Sequence, residues 1–325
     1  MTDASPTEFD LVARVRARAS RARADVVLGI GDDAAVLALP AGRQLVVAMD
    51  TLNAGVHFPH DTAPADIGWK ALAVNLSDLA AMGAQPAWCT LSLSMPAADG
   101  KWLDAFLDGF LELASRHDVA LVGGDTTRGP LSICLTAHGF VDDGCALRRD
   151  GGGAGDLIWV TGTLGDAAGA LAQWKQGGAM DAKLRARLDR PMPRVAVGRA
   201  LAGIATACID VSDGLLADLG HVCRASGVGA EVSVDTLPWS EALRGSFDTG
   251  MRRLLQATAG DDYELCFTSR ASARDAVASV AQQTGVPIVR IGRLVEGDGI
   301  ALSDADGNPW QAPGQGYRHF DPGPP

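Results

Sequence analysis

Six short acidic motifs, set beside glycine or other small residues, recur along the whole chain. They read Gly31-Asp32-Asp33, Met49-Asp50-Thr51, Asn75-Leu76-Ser77-Asp78, Gly123-Gly124-Asp125-Thr126-Thr127, Asp210-Val211-Ser212-Asp213-Gly214 and Gly260-Asp261-Asp262-Tyr263-Glu264. Each sits where an apolar run ends or where a helix of small residues passes. Carboxylates so placed are hard oxygen ligands for Mg²⁺, and several such sites point to a polyphosphate substrate. The lysines are Lys70, Lys101, Lys175 and Lys183, and none completes G-x-x-x-x-G-K-[ST]. That excludes a Walker-type ATPase.

At 325 residues the chain can bury two cores. A net charge of −11 argues against a nucleic-acid groove or an anionic membrane surface. It leaves room for an anionic small ligand, because bound metal inverts the local field. The cysteines Cys89, Cys134, Cys145, Cys208, Cys223 and Cys266 lack C-x-x-C spacing and read as small buried hydrophobes. Residues Met1 to Asp10 carry no leader pattern, and no apolar stretch reaches membrane-spanning length free of charge or glycine. A cytoplasmic protein is expected, with no nucleic-acid partner and no membrane partner.

Hydrophobic spacing predicts a helix over 8–23, short strands at 26–30 and 45–49, and a helix over 64–83. In that helix Thr62 suits the N-cap, Pro64 the first turn and Gly83 the stop. Trp69, Leu72, Leu76 and Leu79 make its core stripe, and Asn75 and Asp78 share another face. A strand at 88–94, a helix at 101–117 and strands at 119–122 and 131–141 complete a β-β-α-β-α-β-β unit of α+β type. The Gly151-Gly152-Gly153-Ala154-Gly155 run marks a boundary, giving domains 1–150 and 151–325. The second half reads as an α/β domain. It has strands at 157–161, 207–211, 230–234, 264–268 and 287–294, and helices from 165, over 193–204, 215–224 and 271–284. The tail from Asp304 reads as surface loop.

Each motif admits a structural reading beside the chemical one. Asp32 and Asp33 are turn residues or a metal ligand with its loop-orienting neighbour. Asp50 closes an apolar strand and needs a metal, a cation or a loop amide. Asp78 lies mid-helix among small residues, where aspartate is unfavourable and a lone buried carboxylate costly. Gly123 and Gly124 form a hairpin, or let amides approach phosphate, with Asp125 for metal and Arg128 for charge. Ser212 or Asp213 is a natural N-cap, and the same amides can bind a phosphate oxygen. Arg148-Arg149 is solvated charge or a phosphate clamp. Asp304 to Asn308 lacks EF-hand spacing and reads as a surface turn.

Taken together the motifs closely resemble the thiamine-monophosphate kinase family. The resemblance rests on Gly29–Ala34, Asp50-Thr51-Leu52, Ala54–Phe58, Lys70–Ala84, Gly123–Gly129, Val160-Thr161-Gly162, Ile209–Gly214 and Asp262–Leu265. It implies the aminoimidazole-ribonucleotide-synthetase-like fold. In that fold an N-terminal α+β domain binds ATP and Mg²⁺ and builds a homodimer, and a C-terminal α/β domain completes the nucleotide and substrate site. It also implies the last step of thiamine diphosphate synthesis: direct, Mg²⁺-dependent transfer from ATP to thiamine monophosphate. By position, Asp33, Asp50, Asp78, Asp125, Asp210 and Asp213 correspond to ligands of several Mg²⁺ ions. Gly124, Asp125, Arg149 and Ser212 correspond to ATP contacts, and His57 and Asp261 to substrate contacts.

The chain departs from the family pattern at three places. Ala48 and Met49 stand where hydroxyl residues often precede the aspartate. Asp261 replaces a frequent glutamate. Gly314 stands where a tryptophan often lies beside the thiamine, a few residues before Gly316-Tyr317, with Trp310 as a substitute. Two rival readings are a phosphate-releasing ligase of the same superfamily and a binding-only nucleotide or metal protein.

Overall fold

Trp69, Leu72, Leu76 and Leu79 recur at helical spacing, and none is more than 2 % exposed. Burying such side chains stabilises by about 1.5–3 kcal/mol each, so this stripe holds the helix in the core of its unit. The computed structural model describes residues 7–19 and 23–312. These divide into two compact units, one up to Leu79 together with Ala84–Gly144, the other Ala80–Gly83 together with the residues from Cys145 on.

The first unit runs α1 (Glu8–Ala19), β1 (Val26–Leu28), β2 (Val36–Leu37), β3 (Arg43–Asn53), α2 (Pro64–Ala81), β4 (Gln85–Met95), α3 (Gly100–Arg116), β5 (Ala120–Arg128) and β6 (Ser132–Asp142). The expected element order is present, with the two-residue β2 added. β1 pairs with β2 in a sheet of their own, and the main sheet has the order β3-β6-β4-β5. Gly83 ends α2 as the spacing predicts: its φ is 69°, and the Ala84 amide donates back to the Leu79 carbonyl at 2.8 Å. Asp99 caps α3 by accepting the amides of Lys101 and Trp102 at 2.9 and 3.0 Å. The helices α2 and α3 approach backbone to backbone. A Cβ on Gly68 would strike the Phe106 carbonyl, and one on Gly109 the Ala65 carbonyl.

The second unit runs β7 (Leu157–Thr161), α4 (Asp166–Lys175), α5 (Ala182–Asp189), α6 (Val195–Ala200), β8 (Ala205–Asp210), α7 (Leu215–Ser226), β9 (Gly229–Ser233), α8 (Glu241–Ser246), α9 (Thr249–Thr258), β10 (Leu265–Ser269), α10 (Arg274–Thr284), β11 (Ile288–Val295) and β12 (Ile300–Ser303). Its sheet has the order β12-β9-β11-β7-β10-β8. Four elements go beyond the expected set: α5, α8, α9 and β12. The helix expected over 193–204 is shorter, because only Val195–Ala200 stays helical. The glycine run is pinned to this unit: Gly152 donates to Ser226 Oγ at 3.1 Å and Gly153 to Asp156 Oδ2 at 3.0 Å. All six cysteines are unpaired, with Cys89, Cys208, Cys223 and Cys266 buried, Cys134 half-buried and Cys145 exposed.

Candidate active site

In the first unit, strand alternation puts Asp50 on the β3 face of Val46 and Ala48, the face that meets α2. The Asp50 amide donates to Asn75 Oδ1 at 3.1 Å, and Asn75 Nδ2 donates to the Ala71 carbonyl at 3.1 Å. Asn75 is fully buried, so it pins β3 to α2. Asp78, one turn further along α2, is half-buried.

Across the sheet the pairing register runs Asp50, Leu135, Leu91, Gly124. Three strand spacings separate Asp50 from Gly124, about 14 Å along the sheet. Asp125 is one residue beyond and exposed on β5. Gly124 has φ 151° and lies against the Leu91 carbonyl, so only glycine fits there. Asp33 is exposed in the loop after β1, and its amide donates to Asp32 Oδ1 at 2.9 Å, a local turn bond.

His57 is half-buried in the loop between β3 and α2. Its Nδ1 accepts the Asn53 amide at 2.9 Å, and its carbonyl accepts Lys70 Nζ at 3.0 Å. Lys70 is 1 % exposed, so this ammonium anchors the loop from inside the unit.

In the second unit Asp210 ends β8 and is 3 % exposed. Ser212 and Asp213 follow, half-buried. Neither caps α7. The N-cap is Gly214, without a side-chain cap bond. Instead Asp218 Oδ2 accepts the amides of Ser212, Asp213 and Gly214, each at 3.1 Å. This corrects two expectations, because those amides serve a carboxylate of the chain itself and are not open to a phosphate oxygen. Burial, then the charges of Asp210 and Asp213, push the Asp218 carboxyl up to about 7, against the pull of the amides.

Arg149 is exposed, with its backbone held beside β8. The Ser226 hydroxyl donates to its carbonyl at 3.0 Å, and the Cys208 amide donates to the Arg148 carbonyl at 2.8 Å. Asp261 is half-buried with φ 69°, its amide donating to the Ser212 carbonyl at 2.9 Å. Tyr263, φ 50°, donates its hydroxyl to Asp261 Oδ1 at 3.0 Å. Trp310 packs on the core of the C-terminal sheet, with its amide donating to the Leu302 carbonyl at 2.9 Å. Gly314, Gly316 and Tyr317 lie outside the described residues.

Among the described residues no three His, Cys, Asp or Glu side chains form a ready cage for a metal ion. Mg²⁺ does not ask for one, since it binds through one or two carboxylates and completes its shell with water and substrate phosphates. The second unit fits that pattern: the buried strand-end carboxylate Asp210 and its neighbour Asp213 each push the Asp218 pKa up. A divalent cation would relieve that like-charge repulsion.

Residues 31–141 match the family model "AIR synthase related protein, N-terminal domain", and residues 153–305 match its C-terminal counterpart. The thiamine-monophosphate kinase of Salmonella typhimurium is 47 % identical over 321 residues, covering 96 % of this chain and 98 % of that protein. The chain belongs to the thiamine-monophosphate kinase family. The crystal structure of the Stenotrophomonas maltophilia K279a thiamine-monophosphate kinase superposes with a TM-score of 0.86 at 53 % identity, covering 95 % of this chain and 98 % of that one. The structure of AaThiL complexed with AMPPCP and TMP superposes with a TM-score of 0.75 at 27 % identity, covering 96 % and 97 %.

Within this family fold, the structure brings forward residues that the motif reading left aside. Asp218 had no signal beyond its place in the first turn of α7. Glu264 sat inside a recognised block but with no role attached. It is fully buried and takes Arg187 and Arg194 as partners. Nothing local predicts that pairing, since the arginines are 77 and 70 residues away in sequence.

Proposed function

We propose that this chain transfers the γ-phosphoryl group of ATP to thiamine monophosphate, giving thiamine diphosphate and ADP. A new bond forms between an acceptor phosphate oxygen and the γ-phosphorus, and the bond from that phosphorus to the β-phosphate oxygen breaks. The observation that carries this reading is the 47 % identity to a thiamine-monophosphate kinase over nearly the full length of both chains. AaThiL, bound to AMPPCP and TMP, shares the fold over 96 % of this chain.

In this reading Asp33, Asp50, Asp78, Asp125, Asp210 and Asp213 hold several Mg²⁺ ions. Bound Mg²⁺ supplies neutralisation of the polyphosphate charge and alignment of donor with acceptor. Gly124, Asp125, Arg149 and Ser212 take ATP: Gly124 by close backbone approach, Arg149 by its guanidinium and Ser212 by its hydroxyl. His57 and Asp261 orient the acceptor. A phosphate monoester has its second pKa near about 6 and reaches the site already anionic, so no strong base is required.

The N-terminal unit is also the dimerising one. β3 is an eleven-residue edge strand with Leu45, Val47 and Met49 on one face, at 44, 55 and 64 % exposure. A long apolar edge of this kind calls for a partner strand or surface, and a second copy of the chain supplies it. No helix among the described residues is long and apolar enough to cross a membrane. The proposed site of action is the cytoplasm, which holds the ATP that the reaction consumes.

Chromatography of thiamine phosphates after incubation with ATP, Mg²⁺ and thiamine monophosphate tests the assignment. Thiamine diphosphate appearing with equimolar ADP, and only with Mg²⁺, is the expected result. ADP with free phosphate and no thiamine diphosphate would move the chain to the phosphate-releasing ligases of the superfamily.

A further inference from the structure

The Glu264 carboxylate has no exposed surface. An unpaired carboxylate there would be very costly, and four donors offset that. Arg194 donates through Nε at 2.6 Å and Nη2 at 2.5 Å, a two-point grip. Arg187 Nη2 donates at 2.7 Å and the Thr161 hydroxyl at 2.6 Å. Gly162 leaves the room, since a Cβ on it would overlap this carboxylate. Two residues earlier, Asp262 is buried and both of its oxygens accept the Gly165 amide at 2.9 Å. Asp166 lies 3.8 Å from Arg187 Nε and accepts Thr163 and Ser240 hydroxyls.

These anchors alternate with strained residues. Asp261 and Tyr263 both adopt left-handed backbone, at φ 69° and 50°. Such conformations are unfavourable for residues with a Cβ and persist only where the surroundings impose them. Asp261 is also bound to the Ser212 carbonyl, and Tyr263 to the Val211 carbonyl at 2.8 Å. The Val211 amide returns to the Glu264 carbonyl at 2.7 Å. The loop that carries Asp261 is thus laced to the loop that carries Ser212 and Asp213, and its far end is fixed by Glu264.

We infer that Glu264, held by Arg187 and Arg194, is a positioning residue that keeps Asp261 aimed at the acceptor. The inference rests on the reading of Asp261 as an acceptor contact. Glu264 touches no substrate. It holds the strained turn whose carboxylate does.

The test compares Glu264→Gln and Arg194→Lys with the unaltered protein in steady-state kinetics, varying thiamine monophosphate and ATP separately. Leu294→Ala, a fully buried site of β11 outside the cluster, controls for general destabilisation. Loss of orientation should raise KM for thiamine monophosphate by about tenfold or more, because small misplacements at a reacting group are costly. KM for ATP should stay within about twofold. Arg194→Lys keeps the charge but loses the two-point grip, so it carries the test if Glu264→Gln fails to fold. Acceptor KM within twofold of normal in both variants would overturn the inference, as would an equal rise in Leu294→Ala. An unaltered protein that makes no thiamine diphosphate would overturn the functional reading first and the inference with it.

Discussion

Asp218 Oδ2 accepts the backbone amide of Ser212 at 3.1 Å, and the same oxygen holds the next two amides of the loop. This carboxylate closes the start of α7 and fixes the strand-to-helix turn from the inside. The price is a third negative group beside Asp210 and Asp213.

That arrangement makes stability depend on pH. The Asp218 carboxyl rises from 3.8 to about 7 in the folded protein. The folded state keeps a proton that the unfolded chain gives up. Stability from this group is full below pH 3.8 and falls as pH rises to about 7. In magnesium-free buffer, melting curves of Asp218→Asn should depend less on pH across that window than those of the unaltered protein. Parallel curves for the two proteins would contradict the assignment.

Asp78 and Asp210 sit in different units, one mid-helix and one at a strand end. If both carry Mg²⁺ for the same transfer, Asp78→Asn and Asp210→Asn should each lower turnover by about two orders of magnitude. Circular dichroism should show the fold retained in both. Near-normal rates with an unchanged Mg²⁺ requirement would remove these residues from the site.

Helix packing gives a prediction independent of chemistry. Alanine is a better helix former than glycine by about 1 kcal/mol. At Gly68 and Gly109 the added methyl meets a carbonyl of the facing helix. Overpacking costs about 1–3 kcal/mol, and with backbone on the receiving side the upper end applies. Gly68→Ala and Gly109→Ala should both lower the urea midpoint. A stabilised variant would mean that α2 and α3 are further apart.

The exposed row Leu45, Val47, Met49 predicts assembly. Val47→Asp should shift sedimentation at micromolar concentration from dimer toward monomer. A chain that is monomeric without the substitution would contradict the proposed role of β3.

Much of this was legible in the sequence, for local reasons. The α2 stripe and its Gly83 stop depend on spacing and on one residue's φ, so they could be read directly. So could the end of β8 at Asp210, where an apolar run stops at a carboxylate, whereas β3 does not end at Asp50 but runs on to Asn53, because its pairing with β6 continues. The short, polar helices α5 and α8 bury too few residues to stand out by period, and the amphipathic α9 buries only Leu255, Gln256 and Ala257 at its C-terminal end. Asp218 was missed because its partners are backbone amides that propensity would give to Ser212 or Asp213. The Glu264 cluster was missed because its arginines come from α5 and the start of α6, and only the tertiary fold brings them together. Gly314, at the position where the family often has a tryptophan, falls outside the described residues, and Trp310, the substitute, is engaged with the sheet core.

The most direct test of the account follows the γ-phosphoryl group itself. With ATP labelled at the γ-phosphorus, thiamine monophosphate and Mg²⁺, the account predicts label in thiamine diphosphate, one ADP per labelled product, and none on acid-quenched protein. Label released as free phosphate, or retained on the protein, would contradict direct transfer.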